Sequence, residues 1–359
     1  MRALVLGGTG HIGAHVVRAL AREGHAVRVL CRDRRRLSVL EGVPVDVADG
    51  STDDADQLCR ALDGCDWLFH VAGYYPSFTA EVAPAVASGI ADVRRVLWAA
   101  QRVGVRRIVF TSSSSTIRRV PERRGAWCGD LGRFHSSVSS QEGFHVKPQP
   151  GRLAAETDWE SEPLDHYRPL YPTVKIAMEQ EALRAAREGL PVVVVNPALC
   201  LGEYDAKPFS GRMITIVAHG LPMGMYVEHR LNAVYTGDVG IGHVRAAERG
   251  RVGERYLLAG RNLRFSELVA VIARETEARP PRWRVPYAVV AGVAQASGWW
   301  WRVRGGRGEP WLLARAVEQV REGQFLDGAR AARELGMPQT PVEEAVRRAV
   351  AWFRQQRML

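Results

Sequence analysis

Tyr171 and Lys175 are the two side chains whose types and spacing most directly suggest a reaction. They lie four residues apart at the start of a predicted helix that runs to about Arg187, so they share one helix face. A phenol has a pKa of about 10, and a nearby cation lowers it because it favours the phenolate. The pair could therefore exchange a proton with a substrate. Only three of the 49 Lys and Arg residues are lysines, so a lysine at position 175 is informative. A compact ammonium can contact a phenol and a ribose at the same time, whereas a guanidinium is broad and planar.

Hydroxyl side chains occupy residues 111–116, where a predicted strand, Arg107–Thr111, comes to its end. The carboxyl ends of parallel strands face the ligand crevice of an open α/β sheet. One of these hydroxyls could bind a substrate oxygen and stabilise the negative charge that develops on it. The other hydroxyls would only terminate the strand.

Gly7, Gly10 and Gly13 lie between a predicted strand, Ala3–Leu6, and a predicted helix, His11–Arg22. Glycines at this turn let the backbone approach a pyrophosphate, which binds at the positive N-terminus of the helix. A glycine motif is weak by itself, but the strand–turn–helix context indicates dinucleotide binding.

The end of the second predicted strand bears on which dinucleotide binds. An acid there holds the ribose of NAD, whereas an arginine accommodates the 2′-phosphate of NADP. Cys31 stands where the acid is expected and Arg32 follows it. Asp33 has the spacing of an NAD aspartate, but neighbouring arginines would hold it in ion pairs. We expect NADP(H) to be favoured over NAD(H), and one or two of residues 34–36 to form a solvated charged turn.

Strands and helices alternate over the first 200 residues, which predicts a parallel sheet covered on both faces. The predicted strands are Ala3–Leu6, Ala26–Leu30, Val43–Val47, Trp67–Ala72, Arg107–Thr111 and Pro191–Val195. We expect an α/β fold, a doubly wound parallel Rossmann sheet over residues 1–200 with an inserted loop at 118–166. Residues 201–359 are expected to form a smaller substrate-binding lobe, interleaved with the sheet.

Composition excludes several classes of protein. The chain has 359 residues, 46% hydrophobic and 25% charged, with a net charge of +10, which is ordinary for a globular enzyme apart from its basicity. No nucleic-acid motif accompanies the arginines, no metal-ligand spacing occurs among the histidines, and no apolar run is long enough to span a membrane. Five scattered cysteines and no signal peptide predict a cytoplasmic protein. We expect Trp299–Trp301 and Trp311 to pack within the lobe, with a peripheral membrane or substrate contact as the alternative, and a homodimer is possible.

These motifs resemble the short-chain dehydrogenase/reductase superfamily, in its extended branch, also called the NAD-dependent epimerase/dehydratase family. The resemblance covers nearly the whole chain and includes the strand end Phe69–Gly73 and Asn196-Pro197 followed by Gly202. Residues 196–202, 207–208, 211–212 and 253–256 are similar to the dihydroflavonol-4-reductase-like group, which includes hopanoid-associated sugar epimerase-like proteins.

The resemblance implies catalytic roles for Ser113, Tyr171 and Lys175. The cofactor-binding residues that we predict from the motifs and the resemblance together are Gly7, Thr9, Gly10, His11, Ile12, Gly13, Arg32, Arg35, Arg36, Ser51, Ala72, Gly73, Thr111, Ser112, Tyr171, Lys175, Pro197 and Ala198. Three features depart from the family pattern. Ser51 stands where an adenine-contacting aspartate is usual, with Asp49 nearby, and a long insert separates Ser113 from Tyr171. Val174 stands before the lysine, where a serine is frequent.

The sequence therefore predicts an NADP(H)-dependent oxidoreductase that acts on the carbonyl or alcohol of a small, hydrophobic substrate. A sugar-nucleotide epimerase or dehydratase with a tightly held cofactor is the first alternative, because it uses the same Ser, Tyr and Lys. A non-enzymatic NADP-binding regulator is the second, although such a protein would be expected to have lost the Tyr/Lys pair.

Overall fold

Short, almost fully buried strands form the centre of the molecule. The computed structural model describes residues 1–73, 81–118, 153–158, 170–206, 211–220, 224–305 and 323–359. Within these residues the strands are β1 (Arg2–Leu6), β2 (Ala26–Cys31), β3 (Asp46–Asp49), β4 (Trp67–His70), β5 (Arg107–Thr111), β6 (Val192–Pro197), β7 (Leu199–Leu201), β8 (Met225–Tyr226), β9 (Arg230–Tyr235), β10 (Arg255–Leu258), β11 (Arg261–Arg264) and β12 (Trp283–Arg284).

Helices cover both faces of the central sheet and build a second lobe. They are α1 (His11–Arg22), α2 (Ala55–Leu62), α3 (Val82–Val103), α4 (Leu170–Arg187), α5 (Arg212–Ala218), α6 (Thr236–Arg249), α7 (Phe265–Thr276), α8 (Tyr287–Val303) and α9 (Val342–Gln355). Short 3-10 helices at Arg34–Leu40 and Ser114–Thr116 follow β2 and β5. In the described part of the chain, no helix has both the length and the hydropathy needed to cross a membrane.

The central sheet has seven parallel strands in the order β3-β2-β1-β4-β5-β6-β10 among the described residues. One apolar layer lies between the sheet and α1 and α6, and another lies between the sheet and α2, α3 and α4. Strands β2 and β3 follow β1 towards one edge of the sheet, and the strands from β4 onward continue towards the opposite edge. A crevice therefore opens at the carboxyl ends of β1 and β4, where the strand order reverses, and the predicted doubly wound Rossmann sheet is confirmed.

The second lobe contains a three-stranded sheet, in the order β11-β9-β7, that packs against α5, α7 and α9. Two elements that follow residue 200 belong to the central sheet and its helices instead. Strand β10 pairs with β6, and helix α6 packs against α1. The chain therefore crosses between the two parts more than once, and both parts border the crevice.

Three strands differ from the sequence prediction by two or more residues at an end. The third strand, predicted at Val43–Val47, is Asp46–Asp49, because the ladder with β2 begins where Arg28 pairs with Asp46, whereas Val43 and Val45 only pack on the core before it. The fourth, predicted to end at Ala72, ends at His70. The sixth extends to Pro197, since β10 pairs with it up to that residue.

The tryptophans of α8 do not all pack inside the lobe as expected. Trp299 and Trp300 expose 63% and 52% of their surface, because Ala294 and Ser297 take the buried positions of the helix and Trp301 is half-buried. Trp311 and most of the predicted loop 118–166 lie outside the described residues.

Candidate functional site

Two adjoining cavities, of about 510 and 750 Å³, occupy the crevice at the carboxyl edge of the central sheet. The first contains almost all of the residues predicted for the site, namely Gly7, Thr9, Gly10, His11, Ile12, Gly13, Arg32, Arg36, Ala72, Gly73, Thr111, Ser112, Ser113, Tyr171, Lys175, Pro197 and Ala198. The second adds Ser51 and shares the glycine turn and the arginines with the first. Residues up to 198 positions apart in the chain, Gly7 and Asp205, thus line the same cavity.

Two glycines of the turn after β1 leave no room for a side chain. Gly7 has a positive φ of +78°, and a Cβ there would lie 2.7 Å from the backbone nitrogen of Ala72. A Cβ on Gly13 would lie 2.0 Å from the carbonyl oxygen of Gly7. Helix α1 begins directly after this turn, and its N-cap is Gly10, which has no side chain to accept a hydrogen bond from the first helical N–H groups. The backbone at the positive end of α1 therefore borders the cavity, an arrangement that fits the pyrophosphate of a dinucleotide.

The arginines after β2 have different partners. Arg35 turns outward, forms an ion pair with Asp33 at 2.9 Å, and lines neither cavity, so its predicted place in the site stays a prediction that this geometry does not support. Arg34 makes a two-pronged ion pair with Asp49. Arg32 and Arg36 line both cavities. The outward pairs correspond to the expected solvated turn, and two guanidinium groups face the crevice.

Tyr171 and Lys175 lie on the same face of α4, and both line the first cavity. The Lys175 ammonium nitrogen is 6.0 Å from the centre of the Tyr171 ring, and the lysine is only 2% exposed. Burial lowers the pKa of Lys175 to about 8, against the opposing influence of the Glu179 and Asp92 carboxylates. The cation and the phenol therefore border the same cavity.

The hydroxyl side chains that follow β5 differ in their hydrogen-bond partners. Thr111 contacts His243 at 2.9 Å, and the Ser112 hydroxyl donates a short hydrogen bond to Glu179. The Ser113 oxygen accepts a hydrogen bond from the backbone N–H of Ser115 and lines the cavity. A hydroxyl that already accepts this bond keeps its proton for another oxygen, so the geometry favours Ser113 over Ser112 as a donor into the cavity.

Glu179 is a residue at this site that the sequence analysis missed. It has 0% exposure, and one of its oxygens accepts hydrogen bonds from Ser112, Thr116 and Asn196. Its other oxygen accepts one from Arg255 at 3.2 Å. A single carboxylate thereby joins α4 to the ends of β5 and β6 and to β10. Its position four residues after Lys175, on the same helix face, is the signal that could have identified it.

His70, at the end of β4, is packed as expected, with 1% exposure and its ring against Phe110. Its Nε2 lies 3.6 Å from an oxygen of Asp92, and Asp92 lines the second cavity. The histidine supports the cavity wall through Asp92 and does not itself line either cavity.

Comparisons with known proteins agree with this geometry. Residues 3–259 match the family model described as the NAD dependent epimerase/dehydratase family. The chain is 30% identical to a Synechocystis protein named for dihydroflavonol 4-reductase, over 97% of this chain and 93% of that protein. It is also 30% identical to sterol demethylase protein B of Methylococcus capsulatus, over the full length of both.

A solved structure of a nucleoside-diphosphate-sugar epimerase from Pseudomonas aeruginosa is similar, with a TM-score of 0.75 and 29% identity over 99% of this chain and 98% of that one. The glycine turn, the Tyr171/Lys175 pair and these similarities all indicate the same family. The chain belongs to the NAD-dependent epimerase/dehydratase family, the extended branch of the short-chain dehydrogenases/reductases.

Proposed function

We propose that this protein is an NADP(H)-dependent oxidoreductase that reduces a ketone or aldehyde, or oxidises the corresponding alcohol, on a small hydrophobic substrate. The observation that carries the proposal is that Ser113, Tyr171 and Lys175 line one cavity together with the glycine turn. Relatives named for a dihydroflavonol reductase and a sterol demethylase protein support a hydrophobic alcohol or ketone as substrate.

Each of the three side chains has a separate task at the substrate oxygen. The Ser113 hydroxyl donates a hydrogen bond to the carbonyl oxygen and stabilises the negative charge that develops there. The Tyr171 hydroxyl gives its proton to that oxygen in reduction and takes it back in oxidation. Lys175 keeps the phenol acidic through its positive charge and can bind ribose hydroxyls. When bound, the nicotinamide supplies or accepts the hydride.

Tyr171→Phe tests this function. Reduction of a panel of hydrophobic ketones and aldehydes, followed as loss of NADPH absorbance, should fall by at least about 100-fold, since the variant lacks the only proton that this mechanism transfers. NADPH binding should remain. Tyr226→Phe removes the same hydroxyl from a tyrosine that lines neither cavity and should leave turnover unchanged. Near-normal turnover in Tyr171→Phe would contradict the mechanism.

Arg32 and Arg36 support NADP(H) as the favoured cofactor, because they face the cavity where a 2′-phosphate would be bound. Arg32→Gln should weaken NADPH binding roughly 10- to 100-fold, the usual value of a hydrogen bond to a charged group, with little change for NADH. Arg35→Gln, in the outward pair with Asp33, is the matched control and should change neither. Fluorescence titration with each cofactor measures this, and equal or tighter NADH binding to the native protein would contradict the preference.

A sugar-nucleotide epimerase or dehydratase is the second candidate, and the similar epimerase structure from Pseudomonas aeruginosa favours it. Such an enzyme must retain its cofactor throughout each turnover. A cofactor that copurifies with the protein and survives gel filtration would support this candidate, whereas NADPH that exchanges freely would support the oxidoreductase.

A further inference from the structure

Exposed apolar side chains are concentrated on one helix of the second lobe. Of the eleven large hydrophobic residues that are exposed in the described chain, six fall within residues 283–303. Ala294 and Ser297 face inward, so the outer face of α8 carries the others: Val289, Val293, Trp299, Trp300 and Val303, at 43–63% exposure, with Trp283 of β12 at 68%. Monomeric soluble proteins rarely expose a contiguous apolar patch of this kind unless it is an interaction site.

The stretch of sequence that carries this patch has charges of only one sign. Between Glu277 and Glu309 the sequence contains six arginines and no acidic residue. Arg282, Arg284 and Arg304 are exposed. The Arg304 guanidinium lies over the Trp300 ring, 4.7 Å from its centre. Tryptophan rings flanked by arginine suit the boundary between acyl chains and anionic headgroups, where the ring is half in hydrocarbon and the cation contacts phosphate.

We propose that the outer face of α8, with Trp283, docks this protein on an anionic lipid surface. The helix would lie in the plane of the interface, with Trp299 and Trp300 at the headgroup level and the arginines against lipid phosphates. The docking surface is distinct from the cavities, because none of its residues lines them.

The charge pattern favours lipid over a second copy of the chain. A two-fold symmetric contact through α8 would bring the same arginine-rich surface of both copies together, and like charges across an interface repel. An anionic bilayer instead supplies the opposite charge and an apolar layer next to it. The +10 net charge of the whole chain adds attraction of the same sign.

Co-sedimentation of the full-length protein with vesicles tests the proposal. Vesicles of phosphatidylglycerol and phosphatidylcholine in equal parts should bind it. Pure phosphatidylcholine vesicles should bind it at least about tenfold less, and salt at about 0.5 M should release it. Trp299→Ser/Trp300→Ser should reduce the partition coefficient on the mixed vesicles at least about tenfold. Arg282→Gln/Arg284→Gln should reduce it about fivefold for each arginine.

Trp98→Ser is the matched control. Trp98 on α3 is 43% exposed, and Arg102 lies over its ring at 5.0 Å, which repeats the Trp300–Arg304 pair on a different surface. This variant should bind vesicles like the native protein, and all variants should keep the native unfolding temperature and NADPH affinity. Failure of the native protein to bind the mixed vesicles, or equal loss in Trp98→Ser, would overturn the proposal. A native dimer that Trp299→Ser/Trp300→Ser converts to a monomer, without lipid binding, would identify the face as a protein interface instead.

Discussion

Replacing Glu179 with glutamine should change the charge state of Lys175, although Glu179 itself lines neither cavity. The two residues are one helical turn apart, so their charges are about 6 Å apart, and at an effective dielectric constant of about 20 their attraction is about 2.8 kcal/mol. Arg255 holds the other oxygen of Glu179 and opposes part of this attraction. If about half survives, the pKa of Lys175 should fall by about one unit.

The expected direction follows from the charge that the lysine must carry. Lys175 has a pKa of about 8 in the native protein, so it is mostly protonated at pH 7 and loses its charge as the pH rises through 8. NADPH binding should therefore weaken above pH 8 in the native protein and above about pH 7 in Glu179→Gln. Asp92, the other carboxylate that raises this pKa, is unchanged in the variant.

Arg255→Gln distinguishes this electrostatic effect from simple damage to the network. It removes the cation that opposes Glu179, so the midpoint should move upward, opposite to its shift in Glu179→Gln. Both variants should lose stability, by about 3–5 kcal/mol, because each leaves a buried charge without its counter-charge. The assay is a fluorescence titration of NADPH from pH 6 to pH 9 on samples shown to be folded by circular dichroism. Midpoints that move in the same direction, or an unchanged midpoint in Glu179→Gln, would refute the reasoning.

Two further substitutions test the turn and an ion-pair cluster. Gly13→Ala should abolish NADPH binding in titration while the protein still folds, because its Cβ would lie 2.0 Å from the Gly7 carbonyl and force the turn apart; retained affinity would contradict the role of the turn. Burial of Glu181 favours a higher pKa, but hydrogen bonds from Arg184 and Arg94 outweigh it and lower the pKa to about 2. Glu181 therefore stabilises the fold above about pH 4.5, and this contribution is lost as the pH falls towards 2. Glu181→Gln should cost about 1–2 kcal/mol at pH 7, after allowance for its half-exposed partners, and nothing near pH 2; thermal melts that show a pH-independent difference would contradict this.

The spacing of residues along the chain was sufficient to predict much of the secondary structure and of the site. Helix α1 was predicted with its observed ends, and the glycine turn and the Tyr171/Lys175 pair follow from geometry within one turn or one helix. The third strand shows the limit of such reasoning. Its ladder begins at a polar residue, Asp46, because pairing with β2 decides a strand boundary, and pairing is a property of the neighbouring strand.

The sequence by itself determined the Rossmann sheet, the dinucleotide turn and the proton-transfer pair, because each depends on residues close together in the chain. Only the tertiary structure decided which of the hydroxyls that line the cavity can donate into it, since Glu179 on α4 accepts the hydrogen bond of Ser112. It also decided that Arg35 turns away to Asp33 whereas Arg32 faces the crevice, although the two are three positions apart. The exposure of Trp299 and Trp300 depends on how α8 is turned against its lobe. For Ser112 and for the tryptophans of α8 the physical reason is that the packing of distant segments decides which side chains meet, and the order of residues along the chain does not record that packing. Arg35 has a local partner in Asp33, and only which arginine borders the crevice depends on the fold.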